Sequence, residues 1–519
     1  MGAPTVWAGS EVPAPAAVAP AAVALAAVVV PPVDRAGLRR GARSLADERR
    51  YTFPPLEQRG VVAGLRSGQL VVLAVALAAG IVVLRLLPNV RGIAVAALAV
   101  VLAAVAAFVP VRGQALEQRA PTALRWAFTV ARGGHRVLPK AAAPELCGPP
   151  PFARALRVGA IARTGAPPVA VVRDRLTGNA TAVLAVRGRS FSLLDAGDKE
   201  RRFAGWATVL AALAREGGPV RGVQWVERTV PGDAGALARH ANAGARLPRG
   251  DPALGSYLSL VDEAGPLGQD HECFVALTVR PPRRRRDADA ALLRELRLLH
   301  GQLRSADIDV DHVLSPRELG AVVRTAFDPW ARGDIAARTD VPGPQPGRAW
   351  PSASVESWGS WRTDGTWHAT FWVAEWPRTD VGADFLAPLL LHQAAQRTFS
   401  VAMAPLPPSA GVREAEAART AQAADEQLRA RAGFLMTARR RREAEGVIRR
   451  EADLSDGHAA YRYSGFVTVT AQSAEELDTA CGEVVQAAHQ CRLELRRLYG
   501  CQSAAFLWGL PFGRGLSGR

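Results

Sequence analysis

Lysine is almost missing from this chain: Lys140 and Lys199 are its only two, although the formal net charge is +16. Arginine therefore carries the charge. A phosphate-gripping P-loop needs a lysine directly after a glycine-rich turn, and neither lysine stands in one, so GxxxxGK[ST] is excluded. HExxH, GxSxG and a GxGxxG after a strand are missing too, which removes the zinc-protease, serine-hydrolase and dinucleotide signatures. Cysteine is sparse and scattered: Cys147, Cys273, Cys481, Cys491 and Cys501, with no CxxC pair. An odd, dispersed set gives neither a zinc site nor a disulfide framework and fits free thiols in a reducing compartment. The expectation is a non-enzymatic protein with no catalytic, cofactor-binding or metal-ligating residues and no cofactor.

What the chain has in quantity is apolar sequence, 49% of its residues. Leu70 to Leu84 is an unbroken apolar run; at ~1.5 Å per helical residue it covers ~22 Å, short of a ~30 Å hydrocarbon core. It reaches further if Arg85 snorkels and Leu86 and Leu87 join it. Gly92 to Val111 is a longer stretch without any charge. A core helix of a soluble domain keeps one polar stripe, and neither run has one. Both read as spanning helices, with Pro88-Asn89 as the turn of a tight hairpin.

Arginine then sets the orientation. Arg35, Arg39, Arg40, Arg43, Arg49, Arg50, Arg59 and Arg66 precede the first run, and Arg112, Arg119, Arg125 and Arg132 follow the second. Only Arg85 and Arg91 flank the turn. Positive residues stay on the cytoplasmic side, so the expectation is a multi-pass protein of the cell membrane with both termini and the large C-terminal region cytoplasmic. Residues 1–50 read as an Ala/Pro-rich disordered leader and basic segment, with no basic n-region to make a signal peptide. Residues 51–140 are the two-helix hairpin with its flanks.

After a Pro/Gly linker, "AAAPELCGPPPF", residues 152–330 read as a first α+β domain. Strand runs "VGAIA", "VAVVRD", "ATAVLAVRG" and "SFSLLD" lead to a helix with Phe203, Trp206, Leu210 and Leu213 on one face, at a spacing of about 3.6 residues. "LSPREL" opens another helix through a capping box, Ser315 with Glu318. A second Pro/Gly-rich linker, 332–354, precedes a second α+β domain over 355–519. There "WHATFWVAEW" is a strand, "DFLAPLLLHQAA" a helix, "RTFSVAMAPL" a strand, and 412–451 a charged, Ala-rich helical arm broken near Gly433. "YSGFVTVTA" and a helix through Leu477, Cys481 and Val484 follow. The order β-α-β, arm, β-α-β predicts a ferredoxin-like split βαβ sheet with a helical insertion.

Several clusters invite chemistry and have plainer readings. Asp307, Asp309, Asp311 and Glu318 sit at calcium-loop spacing, but His312 stands where the loop needs glycine; an edge strand with a solvated face accounts for them. His368 lies beside Trp367, Trp372 and Trp376 and reads as a core or interface histidine. The runs Arg283–Arg286 and Arg439–Arg442 are able to meet lipid or nucleic-acid phosphates or simply to stay solvated. The candidate partner-binding residues are Trp358, Trp361, Trp372 and Trp376 for aromatic anchoring, with Arg439 and Arg440 on the arm.

A family resemblance is carried by "GLRSGQLVVLAVAL" and by "WVERTVP", "SYLSLVDEAGP", "FDPW", "WHATFWVAEWPR", "FLAPLLL", "LSDGHAAYRYSGFVTVTA" and "LPFGRGL". The first resembles the entry of PrgI-type membrane subunits of type IV secretion. The rest is similar to actinobacterial conjugation-associated membrane proteins, whose cytoplasmic region resembles the N-terminal domain of VirB-class secretion ATPases. The resemblance implies a subunit of a conjugative or type IV-like machine that docks a separate VirB-class ATPase, beside other membrane subunits and inner-membrane lipid, in an oligomeric complex, with nucleic-acid contact left open. An EccE-like membrane subunit of type VII secretion, which also has a two-helix anchor and a soluble domain, is the alternative reading. The P-loop of such a motor half is absent from this sequence, in line with the missing GxxxxGK[ST].

Overall fold

The computed structural model describes Phe53 and residues 67–108, 110–111, 114–138, 150–187, 194–232, 251–264, 268–280, 282, 285–337, 343–393, 395–431, 438–455 and 457–516. The expected leader, Cys147, most of the first linker, Arg283 and Arg284, and the expected break at Gly433 lie outside the described residues.

Two apolar helices come first, α1 (Ser67–Leu86) and α2 (Val90–Phe108). Asn89 Oδ1 accepts from the Gly92 amide at 2.9 Å and caps α2. Gly92 is required there, because a Cβ would stand 1.9 Å from the Leu87 carbonyl oxygen. The helices lie antiparallel: Gly80 presents its bare backbone to Ala96, and Gln69 near the start of α1 donates to the Ala107 carbonyl at 2.9 Å. Gln69–Leu86 is long and apolar enough to cross a membrane by itself; the apolar part of α2, Val90–Val105, is shorter. The chain then reverses through β1 (Pro110–Val111) and β2 (Gln114–Ala115), paired Pro110 to Ala115. It continues as α3 (Leu116–Ala131) and β3 (Arg136–Val137).

The body is a mixed helix-and-sheet structure in two successive halves. The first holds β4 (Leu156–Arg163), β5 (Ala166–Asp174), β6 (Ala180–Arg187), α4 (Ala196–Leu213), β7 (Val220–Pro231), α5 (Pro252–Ala264), β8 (Gln269–Val279), α6 (Arg285–Ser305), β9 (Asp309–Val313), α7 (Pro316–Phe327) and α8 (Arg332–Ala337). The second holds β10 (Ser354–Glu356), β11 (Trp361–Thr363), β12 (Thr366–Glu375), α9 (Ala387–Leu390), β13 (Gln396–Pro405), α10 (Pro408–Arg431), α11 (Ala438–Ser455), β14 (Tyr461–Ala471), α12 (Ala474–Gln490), β15 (Glu494–Arg497) and α13 (Gln502–Gly509).

One antiparallel sheet runs through both halves in the order β3-β10-β11-β12-β14-β13-β7-β8-β6-β5-β4, with β9 added on β6 and β15 on β12. Residues 152–330 and 355–519, read from sequence as two domains, are thus joined by backbone pairing of β7 with β13, Val226 opposite Ser400. The halves repeat one plan. Counting from β6 and from β12, the four successive strands stand fourth, first, third, second: β9-β6-β8-β7 and β15-β12-β14-β13. The helices follow the same symmetry. α4, α6, α9 and α12 bury one face of the sheet through Leu210, Leu299, Leu389 and Val484. α7 and α13 bury the other through Leu319 and Phe506. A pseudo-two-fold axis normal to the sheet at the β7–β13 seam relates the halves.

Local sequence accounts for most of these elements. α4 starts at Asp195, which accepts from the Asp198 amide, and buries Phe203, Trp206, Leu210 and Leu213. α7 has the complete Ser315–Glu318 capping box with Pro316 in its first turn. The helix expected over "DFLAPLLLHQAA" shrinks to Ala387–Leu390, with no side-chain cap. The arm runs as α10 and α11, and in α10 only Gly411, Ala415 and Ala418, near its base, are buried among the described residues. Beyond α13 the chain crosses the first half: the Gly513 amide donates to Gln224 at 2.7 Å, and Arg514 pairs with Asp174 at 2.9 Å.

Candidate functional site

The two ends of the apolar hairpin return to the same body, and those attachments are the most functionally suggestive geometry in the molecule. Ahead of α1, Phe53 is buried and stacks on Trp376 at 5.5 Å and against Phe385 at 5.3 Å. Trp376 in turn meets Tyr463 edge-on at 5.5 Å. After α2, α3 docks through Trp126, which contacts Trp358 at 6.1 Å and His135 at 6.3 Å. Trp358 stacks on Tyr499 at 5.8 Å, and its carbonyl accepts from the Gly500 amide at 2.7 Å. Gly500, at φ +68°, allows this close approach: a Cβ would lie 2.7 Å from the Trp358 ring and 3.3 Å from Trp126. β3 then adds to the edge of β10, Val137 opposite Ser354.

The predicted partner-binding residues separate into different environments. Trp361 is buried among Phe152, Phe327, His368 and Phe506. Trp376 holds the Phe53 anchor. Trp372 is half-buried and donates to Ser464 Oγ at 3.0 Å. Trp358 alone of the four stays substantially open, 39% exposed, while it braces α3. Arg439 and Arg440 lie in the first turn of α11, far along the chain from these tryptophans. No common site gathers the six.

The body is held by ionic groups that sequence reading did not single out. Glu227 and Arg228 are neighbours on β7 and point to opposite faces. Glu227 accepts from His271 at 2.6 Å and from Arg397 across the seam at 3.4 Å, with both carboxylate and guanidinium fully buried. Arg397 also donates to the Leu389 carbonyl at 2.5 Å and to that of Leu390. Burial pulls Arg397 below the usual guanidinium range and Glu227 opposes the shift. On the other face, Arg228 pairs with Glu272 at 2.5 Å and donates to the Val322 carbonyl at 2.7 Å. Arg332 pairs with Asp270 at 2.5 Å. Burial by itself would raise Glu272; Arg228 and Arg332 outweigh it and hold the carboxyl below its ordinary value. Each of these charges faces a partner, and no group of three or more potential metal ligands converges among the described residues.

Residues 270–373 match the EccE family, described as a type VII ESX secretion system translocon component. No curated protein matches the chain. The EccE-like segment runs from β8 to β12, crosses from one half into the other, and carries His271, Glu272, Arg332, Trp358, Trp361, His368 and Trp372.

This finding overturns the resemblance to type IV secretion and conjugation. The PrgI-like anchor, the likeness to the N-terminal domain of VirB-class ATPases, the separate VirB-class ATPase as partner, and a role in DNA transfer all fall with it. The reason lies in what the short matches encode. An arginine-collared apolar hairpin and apolar strands ending in turns are physical solutions open to any anchored α+β body. Scattered phrases of that kind report an architecture, whereas the EccE match is one continuous segment.

Residues missed from sequence are those whose partners are distant along the chain. Phe53 lies more than 300 positions before Trp376, and nothing local marks it. Trp126 had a readable signal: an isolated tryptophan within a basic helix directly behind an apolar run.

Proposed function

We propose that the chain is a non-enzymatic, membrane-anchored subunit of a type VII secretion translocon, similar to EccE. The observation that carries this reading is the EccE match over residues 270–373. In this reading α1 and α2 both cross the bilayer. Their lengths of 20 and 19 residues correspond to about 30 Å of helix each, the thickness of a hydrocarbon core. The attachments support two crossings rather than one, because Phe53 and α3 both return to the body and so require the hairpin to start and end on one side. The arginine collars at those ends support a cytoplasmic side for the body.

Each half of the body then acts as a ferredoxin-like unit, and the shared sheet makes them one rigid platform beneath the membrane. The hairpin confines that platform to the membrane plane and raises the local concentration of translocon subunits that meet it. The arm with Arg439 and Arg440 and the open edge of Trp358 are the surfaces proposed for those contacts.

Affinity purification from detergent-extracted membranes tests the reading. Co-purification of the chain with a tandem FtsK-like ATPase and other type VII subunits is the expected result. A chain that leaves the membrane in alkaline carbonate, or whose body is digested by protease added outside intact spheroplasts, sinks it.

A further inference from the structure

The helix α3 has two apolar sides, and the body uses one of them. Trp126 and Thr122 face Gly500 and Trp358. On the opposite side Leu124 is 71% exposed and Phe128 55%. Their i,i+4 spacing stacks them on one stripe, extended by the exposed Ala120 and Ala131. The flank of this stripe is basic: Arg132 lays its guanidinium 3.7 Å over the Phe128 ring, and Arg125 stands beside it. From Leu116 to Arg136 the chain has Arg119, Arg125, Arg132 and Arg136 against the single acid Glu117.

The surroundings identify what covers this stripe. The β1–β2 reversal pairs Pro110 with Ala115, so α3 begins at the level where α2 ends. α3 touches both α1 and α2. It is therefore continuous with the apolar hairpin, at the end from which the body hangs. A helix with an apolar stripe, basic flanks and this placement meets the requirements of an interfacial helix.

We propose that α3 lies in the headgroup layer of an anionic membrane, with Leu124 and Phe128 among the upper methylenes and Arg125 and Arg132 on lipid phosphates. The inference rests on the reading that the hairpin is in the bilayer. α3 becomes the collar that fixes the height and tilt of the body: its lipid side is held by the membrane and its Trp126 side by Trp358.

The test uses the full-length chain in phosphatidylcholine–phosphatidylglycerol vesicles. Cys147 and Cys501 are replaced by serine, and the buried thiols are left in place. Spin labels are attached singly at Leu124→Cys and Phe128→Cys, with Leu77→Cys on α1 as the bilayer reference and Leu176→Cys on the β5–β6 turn as the water reference. Power saturation with oxygen and with a nickel chelate reads depth. At 124 and 128 the nickel collision rate is expected to fall severalfold below that at 176, at a depth shallower than 77. Replacing phosphatidylglycerol with phosphatidylcholine is expected to lift the label at 124 outward, and Arg125→Gln with Arg132→Gln to abolish that lipid dependence.

Nickel access at 124 and 128 equal to that at 176, with 77 still protected, overturns the collar and leaves the anchor standing. Access at 77 as well overturns both readings. A photocrosslinking residue at 124 that captures protein instead of lipid in native membranes means a neighbouring subunit covers the stripe, and the lipid assignment fails.

Discussion

His368 is 1% exposed and sits between Thr363, 2.7 Å from Nε2, and Thr470, 3.0 Å from Nδ1. Burial pushes its pKa down to about 3. The unfolded chain takes up a proton near pH 6.5, where the folded chain does not, so this residue's stabilising contribution is complete at neutral pH and falls as pH drops from about 6.5 toward 3. The slope is up to about 1.4 kcal/mol per pH unit. Urea midpoints of the detergent-solubilised chain at pH 4 and pH 7 are expected to converge in His368→Gln relative to the parent. The thiols behave in parallel: burial raises Cys481 to about 11 and Cys491 to about 12. Both are expected to resist iodoacetamide at pH 8 until denaturant is added, which mass spectrometry reads directly. Gly513 is a third single-residue constraint. Its φ is +68°, and a Cβ would stand 1.9 Å from Thr278 Oγ1. Gly513→Ala is expected to cost about 3 kcal/mol through left-handed strain and overpacking, measured by urea unfolding.

Between elements, the seam is the decisive contact. β7 and β13 join the halves through a six-residue register from Met403–Val223 to Thr398–Arg228, and Arg397 reaches across to Glu227. A buried pair is weak evidence of net stability, but breaking one is costly because the remaining charge is stranded. Arg397→Leu is expected to lose about 4 kcal/mol, with hydrogen-exchange protection falling first in β7 and β13. The double variant with Glu227→Leu is expected to recover part of the loss. A double variant as unstable as the single one would mean that the arginine works through the Leu389 and Leu390 carbonyls alone.

For the whole molecule, pseudo-symmetry and attachment act together. A sheet shared by both halves does not come apart when one connection is cut. Proteolytic nicking in the 338–342 connection is expected to leave the two fragments co-eluting on gel filtration without denaturant; separation would show that the seam does not hold. The hairpin adds two further ties, Phe53 into the Trp376 pocket and Trp126 onto Trp358. Both lie in the second half, so that half sits nearest the hairpin, and the arm springs from it. On the proposed role of the arm, shortening it is expected to reduce co-purification of translocon subunits while the chain stays in the carbonate-washed membrane fraction.

The sequence by itself determined what short-range chemistry controls. The two apolar runs, the Pro88-Asn89 turn, the Ser315–Glu318 cap, the strand periodicities and the absence of a P-loop are all written within a few residues of each other. Only the tertiary structure decided which strands meet, that two apparent domains share one sheet, that Trp361 and Trp376 are interior while Trp358 is not, and that Glu227, His271 and Arg397 face each other. The last of these brings together residues 44 and 170 positions apart. Periodicity tells a strand which side to bury, but the identity of its neighbour is fixed by the packing of the whole chain.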